Sequence, residues 1–300
     1  MREDPAVTSL GAVFLPQLPP ERLASVARAA DGAGLEELWL WEDCFRESGI
    51  ATAATALALT SRARLGIGLL PAPLRNVALT AMEVATLDRL FPGRARVCVG
   101  HGVQEWMGQV GARVESPLSL LREYVVALRR LLAGETVTTR GRYVRLDRVA
   151  LDWPPATLPP VLAGAVGPRS LRLSGECADG TVLAGGTSPD KVRQARAVID
   201  QGRLAVGRRD PHPVAVYVHA ATGPGAAQRL AGEYQRWGYG DTARDLGVAG
   251  DAVAVAEAVQ RWAEAGASTV VLQPTADDPD PEAFVRFVAE QVRPLVPVGP

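Results

Sequence analysis

"ARLGIGLLPAPLRNVALTAMEVATLDRLFPGRARVCVGHG", residues 63–102, contains the unit from which the fold is read. An apolar run, 63–71, is short enough for a buried strand and ends on proline. The helical stretch "NVALTAMEVATLDRLFPG" follows, and "RARVCVGHG" is again a strand. Gly66 and Gly68 weaken the first of these strands, so a bulge or a close backbone approach is expected there, with Leu69 and Leu70 offering an apolar face.

The same alternation runs outward in both directions. Towards the N-terminus lie the strand "TSLGAVFLP" (8–16), a helix with apolar positions at Leu23, Val26, Ala27 and Ala30, the strand "EELWLWE" (36–42), and a helix over 49–61. Towards the C-terminus come a helix over 116–134, the strand "PPVLAGA" (159–165), a helix over 168–178, and the strand "GTVLAG" (180–185). They are followed by a helix over 188–207, the strand "HPVAVYVHAAT" (212–222), helical stretches over 224–236 and 251–266, the strand "STVVLQP" (268–274) and a closing helix over 281–292. Only residues 135–156 break the rhythm; Arg-Gly-Arg between alternating segments reads as a hairpin insertion between the fourth and fifth strands.

Eight strands, apolar on both faces and alternating with helices, predict an α/β fold: a (β/α)8 TIM barrel forming a single domain over 1–300. A doubly wound open sheet is the alternative. It is disfavoured because eight units run on with no change of composition.

Composition narrows the function. The net charge of −1 provides no field for nucleic acid or an anionic membrane. No apolar stretch is long enough to span a bilayer, and the charged start "MREDPAVTSL" does not read as a signal peptide. Lys191 is the only lysine, which leaves no other position for imine chemistry. The cysteines at 44, 98 and 177 are scattered and odd in number, which suggests a reducing, cytoplasmic setting. They form no metal spacing with the three histidines, so no metal is expected.

In such a barrel the chemistry sits where the strands end. Trp41, Glu42, Asp43 and Cys44 follow the second strand. Asp43 reads as a group that orients a ligand or moves a proton, or else one carboxylate of the pair caps the next helix. Cys44 is a small thiol without an evident activating base. His101 stands between Gly100 and Gly102 after the fourth strand, as a proton-transfer candidate or a satisfied structural donor. Glu105 follows it, and Trp41 and Trp106 read as pocket walls or core. After the fifth strand, "VLAGAVGPRS" (161–170) spends two glycines and then a first-turn proline. Gly164 and Gly167 would allow close backbone approach. The amides of Val166, Gly167, Arg169 and Ser170 would face an anion; the alternative is an ordinary strand–helix turn. His212 falls on the opposite rim, and His219 on the correct rim without a visible partner.

These pieces, "LGAVFLP", "GLEELWLWED", the 66–94 segment, "VGHG" and "VLAGAVGPRSLRLSGECADGTVL", resemble the bacterial luciferase-like superfamily over residues 8–290. Within it they are most similar to the methylenetetrahydromethanopterin reductase-like branch, which uses the deazaflavin coenzyme F420. The resemblance implies a hydride-transferring oxidoreductase acting on a small molecule. It implies a non-proline cis peptide at Gly68–Leu69 behind the cofactor ring, a phosphate held by Ala165, Val166, Gly167, Pro168 and Arg169, and a second cofactor loop at Gly100–Gly102. A homodimer is the habit of the family. FMN with oxygen activation is the alternative cofactor chemistry. A redox-silent barrel binding a phosphorylated metabolite and a relative that has lost activity are further alternatives. Two departures stand out. Many members have Asp-His after the second strand where this chain has Asp43-Cys44. The sugar-phosphate dehydrogenases place a glutamate where this chain has Val103, with Glu105 two residues on.

Overall fold

The computed structural model describes residues 8–240 and 245–297. Residues 1–7, 241–244 and 298–300 lie outside the described residues. Strands β1 (Ser9–Val13), β2 (Glu37–Leu40), β3 (Arg64–Pro71), β4 (Ala95–Gly100), β7 (Val161–Gly164), β8 (Gly180–Leu183), β9 (Val214–Ala221) and β11 (Thr269–Pro274) pair in parallel. Pairing of β8 with β9 and of β11 with β1 closes the ring. The barrel is therefore closed, as the strand count predicts. The interruption is the antiparallel hairpin β5 (Val137–Arg140) and β6 (Arg145–Val149). A short strand not expected from the sequence, β10 (Gly247–Ala249), adds to β9 outside the ring.

The helices around the barrel are α1 (Leu23–Ala33), α2 (Gly49–Leu59), α3 (Val77–Leu90), α4 (Gln104–Gln109), α5 (Pro117–Leu132) and α6 (Pro168–Cys177). They continue with α7 (Pro189–Ala205), α8 (Ala226–Arg236), α9 (Ala252–Glu264) and α10 (Pro281–Arg286). Where each begins is written locally. The side chains of Ser48, Asn76, Ser116, Ser188, Asp251 and Asp280 accept first-turn amides of α2, α3, α5, α7, α9 and α10.

Two apolar cores result. The larger joins the helices to the outer face of the barrel, and the smaller fills the lumen with Val13, Leu15, Trp39, Trp41, Cys98, Leu162, Val182, Ala215, Tyr217 and Val271. Gly66 is required by this filling. A methyl group there would lie 2.2 Å from the Trp39 indole. Below Trp39 the lumen is sealed by Glu37, which is wholly buried. It is ion-paired with Arg64 at 3.1 Å and Arg96 at 3.2 Å, and it accepts the Trp39 Nε1–H at 2.9 Å.

His212 lies two residues before β9, on the rim away from the strand ends, as its place in the sequence implies. Its Nε2 pairs with Thr181 Oγ1 at 2.8 Å, and that hydroxyl pairs with Ser174 Oγ at 2.7 Å. Burial, with help from neighbouring arginines, lowers its pKa to about 4. The unfolded chain thus takes up this proton near pH 6.5 and the folded chain only near 4, so stability falls as pH drops through that interval. The expected loss at pH 5 relative to pH 8 is about 2 kcal/mol for such a histidine. In denaturant melts at the two pH values, His212→Asn should remove that share; an unchanged pH slope would exclude it.

Candidate functional site

At the upper end of β3 the pairing with β4 slips between Ile67 and Leu70, and the Gly68–Leu69 peptide is cis, at the position implied from the sequence. Tyr217, from the opposite side of the barrel, donates its hydroxyl to the Gly68 carbonyl at 3.2 Å. A methyl group on Gly68 would lie 2.1 Å from that hydroxyl oxygen. Tyr217 is itself held edge-on by Trp39 and Trp41, at ring separations of 5.8 and 5.4 Å. The bulge is thus braced by a residue 149 positions away, which no local pattern announces.

Leu69 turns towards the neighbouring strand ends. A methyl on Gly100 or on Gly164 would come within 2.5 or 2.4 Å of its Cδ2. These two glycines therefore make room for Leu69, whereas the sequence reading assigns the space at Gly164 to a ligand. Gly167 is the open position: a methyl there would meet nothing within 4 Å. It precedes α6, whose start has no side-chain cap, and Val166 is 77% exposed beside it, with Pro168 and Arg169 also exposed. Ala165 is buried beneath.

His101 and α6 meet. His101 Nε2 lies 3.0 Å from Ser170 Oγ, so the turns after β4 and β7 form one wall. Burial lowers the His101 pKa against the opposing pull of the Pro117 backbone carbonyl, and so favours the neutral ring at neutral pH. Gly102, at φ +65°, makes the left-handed turn that leads into α4. On α4, Glu105 is exposed, Trp106 half-buried and Met107 buried.

In the segment after β2, the two carboxylates divide their roles. Glu42 accepts the Gly49 amide at the start of α2, at 2.8 Å, and both nitrogens of a fork from Arg75, at 2.9 and 3.0 Å. Arg75 also donates to Glu83 at 2.6 Å. The helix-capping role thus falls to Glu42. Asp43 is half-buried, and burial raises its pKa against the opposing charge of Arg46. Burial, together with Glu42 and Asp43, raises the Cys44 pKa, so the thiol stays protonated. The Cys44–Phe45 peptide is also cis.

The far side of the mouth is built by residues the sequence does not single out as a group. His219 lies within β9 rather than at its end, and it is in register with Gln273 of β11. Its ring is surrounded by Tyr234, Trp237 and Tyr239, at 6.0, 5.9 and 5.8 Å, and its Nε2 lies 3.4 Å from the Tyr239 hydroxyl. Burial lowers the His219 pKa to about 4, against the charge of Glu233. The structure brings together Gly68, Leu69, Gly100, Gly164 and Tyr217, and separately His101 with Ser170. No hydrogen bond or ion pair among the described residues joins Asp43 or Glu105 to either group, and the charge of Asp43 is felt at the Tyr217 hydroxyl.

A family model described as luciferase-like monooxygenase matches residues 7–278. The 5,10-methylenetetrahydromethanopterin reductase of Methanolobus tindarius is 32% identical over 213 residues, which cover 71% of this chain and 64% of that protein. An F420-dependent glucose-6-phosphate dehydrogenase of Nakamurella multipartita is 29% identical over 187 residues, covering 58% and 55%. The chain thus matches less than two thirds of the length of these relatives. The solved structure of the coenzyme F420 dependent tetrahydromethanopterin reductase from Methanopyrus kandleri superposes with a TM-score of 0.83, over 96% of this chain and 99% of that one, at 23% identity. That likeness shows the shared barrel.

Proposed function

The chain belongs to the luciferase-like monooxygenase family, and from that premise we propose that it is an oxidoreductase transferring a hydride between coenzyme F420 and a small organic substrate. The observation that carries the reading is the Gly68–Leu69 bulge, braced by the Tyr217 hydroxyl and set in the same mouth as the uncapped start of α6. A flat ring with an acidic tail fits such a mouth. The bulge offers backbone and Leu69 to the ring, while the exposed turn at 166–169, above buried Ala165, offers main-chain amides and Arg169 to a phosphate. Open space at Gly167 leaves that turn uncovered. The names of the relatives favour F420 over FMN.

When bound, the deazaflavin supplies the carbon that gives or takes the hydride. The residues of the chain supply position and protons. Ala165 to Arg169 would hold the phosphate and Gly100 to Gly102 the adjoining part of the cofactor. Asp43 would hydrogen-bond ring or substrate. His101, kept neutral and steadied by Ser170, is the proton-transfer group proposed first, with Glu105 second. Trp41, Cys44 and Trp106 would line the substrate side.

Absorbance titrations with F420 and FMN test the reading. Saturable F420 binding, tighter than FMN, is the expected result; the reverse preference would move the chain to the oxygen-activating chemistry of a monooxygenase. His101→Gln should lower turnover about 10²-fold and leave F420 affinity within about threefold. A loss confined to affinity would make His101 a cofactor anchor alone.

The chain is proposed to work as a homodimer through α3, which exposes Leu79 and Met82 beside exposed Val126 of α5. A monomeric mass by light scattering would reject this. Three unpaired thiols suit a cytoplasmic setting. Among the described residues no helix is long and apolar enough to cross a membrane, and no group of side chains is suited to a metal ion.

A further inference from the structure

Three polar side chains at the upper ends of β9 and β11 are left unsatisfied by the fold. His219, Gln273 and Thr275 are 0, 1 and 0% exposed. Yet His219 Nδ1, Gln273 Nε2 and Thr275 Oγ1 have no hydrogen-bond partner. Burying an unpaired polar atom is costly, so three in one neighbourhood point to a partner from outside the chain. The groups share one corner of the mouth. His219 and Gln273 are register partners, and a methyl on Gly185 would lie 3.1 Å from His219 Nε2 and 3.2 Å from Gln273 Oε1.

The corner is walled by aromatic rings held in place. Glu233, buried on α8, accepts the Trp237 indole N–H at 2.8 Å and the Ala276 amide at 3.1 Å, which fastens α8 to the segment after β11. Trp237 and Tyr239 stack at 6.4 Å and, with Tyr234, enclose the His219 ring. None of these rings carries positive charge, and the carboxylate of Glu233 behind them is already taken up by its ion pair with Arg236 at 2.5 Å. Burial keeps His219 itself neutral. An amide N–H, an imidazole nitrogen and a hydroxyl can together donate to a carbonyl or accept from a hydroxyl. That is what a site must do to hold both redox partners of one substrate.

We propose that His219, Gln273 and Thr275 recognise the oxygen of an uncharged substrate, a ketone or its secondary alcohol, whose apolar body packs on Tyr234, Trp237 and Tyr239. The proposal rests on the hydride-transfer reading and specifies its substrate class: phosphorylated sugars, which need a cationic cradle, are excluded from this corner.

The test titrates cyclohexanone and glucose 6-phosphate separately into the cofactor-free and the F420-loaded protein. Tryptophan fluorescence and melting temperature are the readouts, and F420 affinity is measured in parallel. Saturable binding of cyclohexanone, weakened at least tenfold by Gln273→Leu with F420 affinity unchanged within twofold, is the expected result. Thr275→Val, nearly isosteric, is the second variant should Gln273→Leu not fold; it should weaken the ketone about threefold to tenfold. Equal ketone binding in the folded variants, no ketone binding by the wild type in either form, or saturable glucose 6-phosphate binding would each overturn the assignment. Failure of F420 to bind would instead overturn the cofactor reading, while the ketone arm on cofactor-free protein would still report on this corner.

Discussion

Gly68→Ala should lower turnover about 10²-fold and cost about 1–3 kcal/mol of stability. The added methyl would lie 2.1 Å from the Tyr217 hydroxyl oxygen and 3.1 Å from the Trp39 ring, closer than packed atoms approach. Neither neighbour is a flexible chain end. Tyr217 is 5% exposed and is gripped edge-on by two indoles, so relief must come from moving the bulge itself. A shift of this kind misplaces whatever the bulge supports. Tyr217→Phe removes the atom in closest collision and loses one hydrogen bond of about 1 kcal/mol. The double variant should therefore be more stable than the sum of the single losses predicts. Single-turnover kinetics and denaturant melts on the three variants check this. Wild-type turnover in Gly68→Ala would mean that this peptide supports nothing in the reaction.

Glu37→Ala is expected to have the largest effect on the fold, a loss of about 3 kcal/mol, with catalysis per folded molecule little changed. Removing one partner of a buried ion pair leaves the other uncompensated, at a cost of roughly 3–5 kcal/mol. Here the arginines are not fully buried: the Arg64 and Arg96 side chains retain 35% and 24% exposure, which places the loss near the lower bound. The Trp39 indole N–H would also lose its acceptor. Urea titration of Glu37→Ala should show a lower midpoint with an unchanged slope. A midpoint shift worth under 1 kcal/mol would show that water already screens the cluster.

The barrel was legible because its evidence is local. Apolar runs of strand length, helix-starting residues and the Arg-Gly-Arg turn each declare themselves within a few positions. Even the bulge was announced by the spacing of Gly66 and Gly68. The brace on that bulge was not, because Tyr217 becomes relevant only once β9 faces β3 across the lumen. The same holds for Gly100 and Gly164. A glycine in a strand signals that something comes close, and only the packed structure identifies it as Leu69. His219 looked isolated because its ring neighbours arrive from α8 and the residues that follow it. α4 and β10 were missed because six and three residues carry too little periodicity to read. The division of labour between Glu42 and Asp43 was open in the sequence as a pair of alternatives, and the Arg75 fork assigns the bracing role to Glu42.

That fork bears on which side chains this segment can exchange. Glu42 ties the segment after β2 to α2 and to Arg75 at one end, and Arg46 ties it to the Pro16 carbonyl at the other. Between these two moorings the side chain at position 44 contributes none of the tethering. The side chain at position 44 can therefore be exchanged without loosening the segment, as a workshop exchanges a tool bit while the chuck stays clamped.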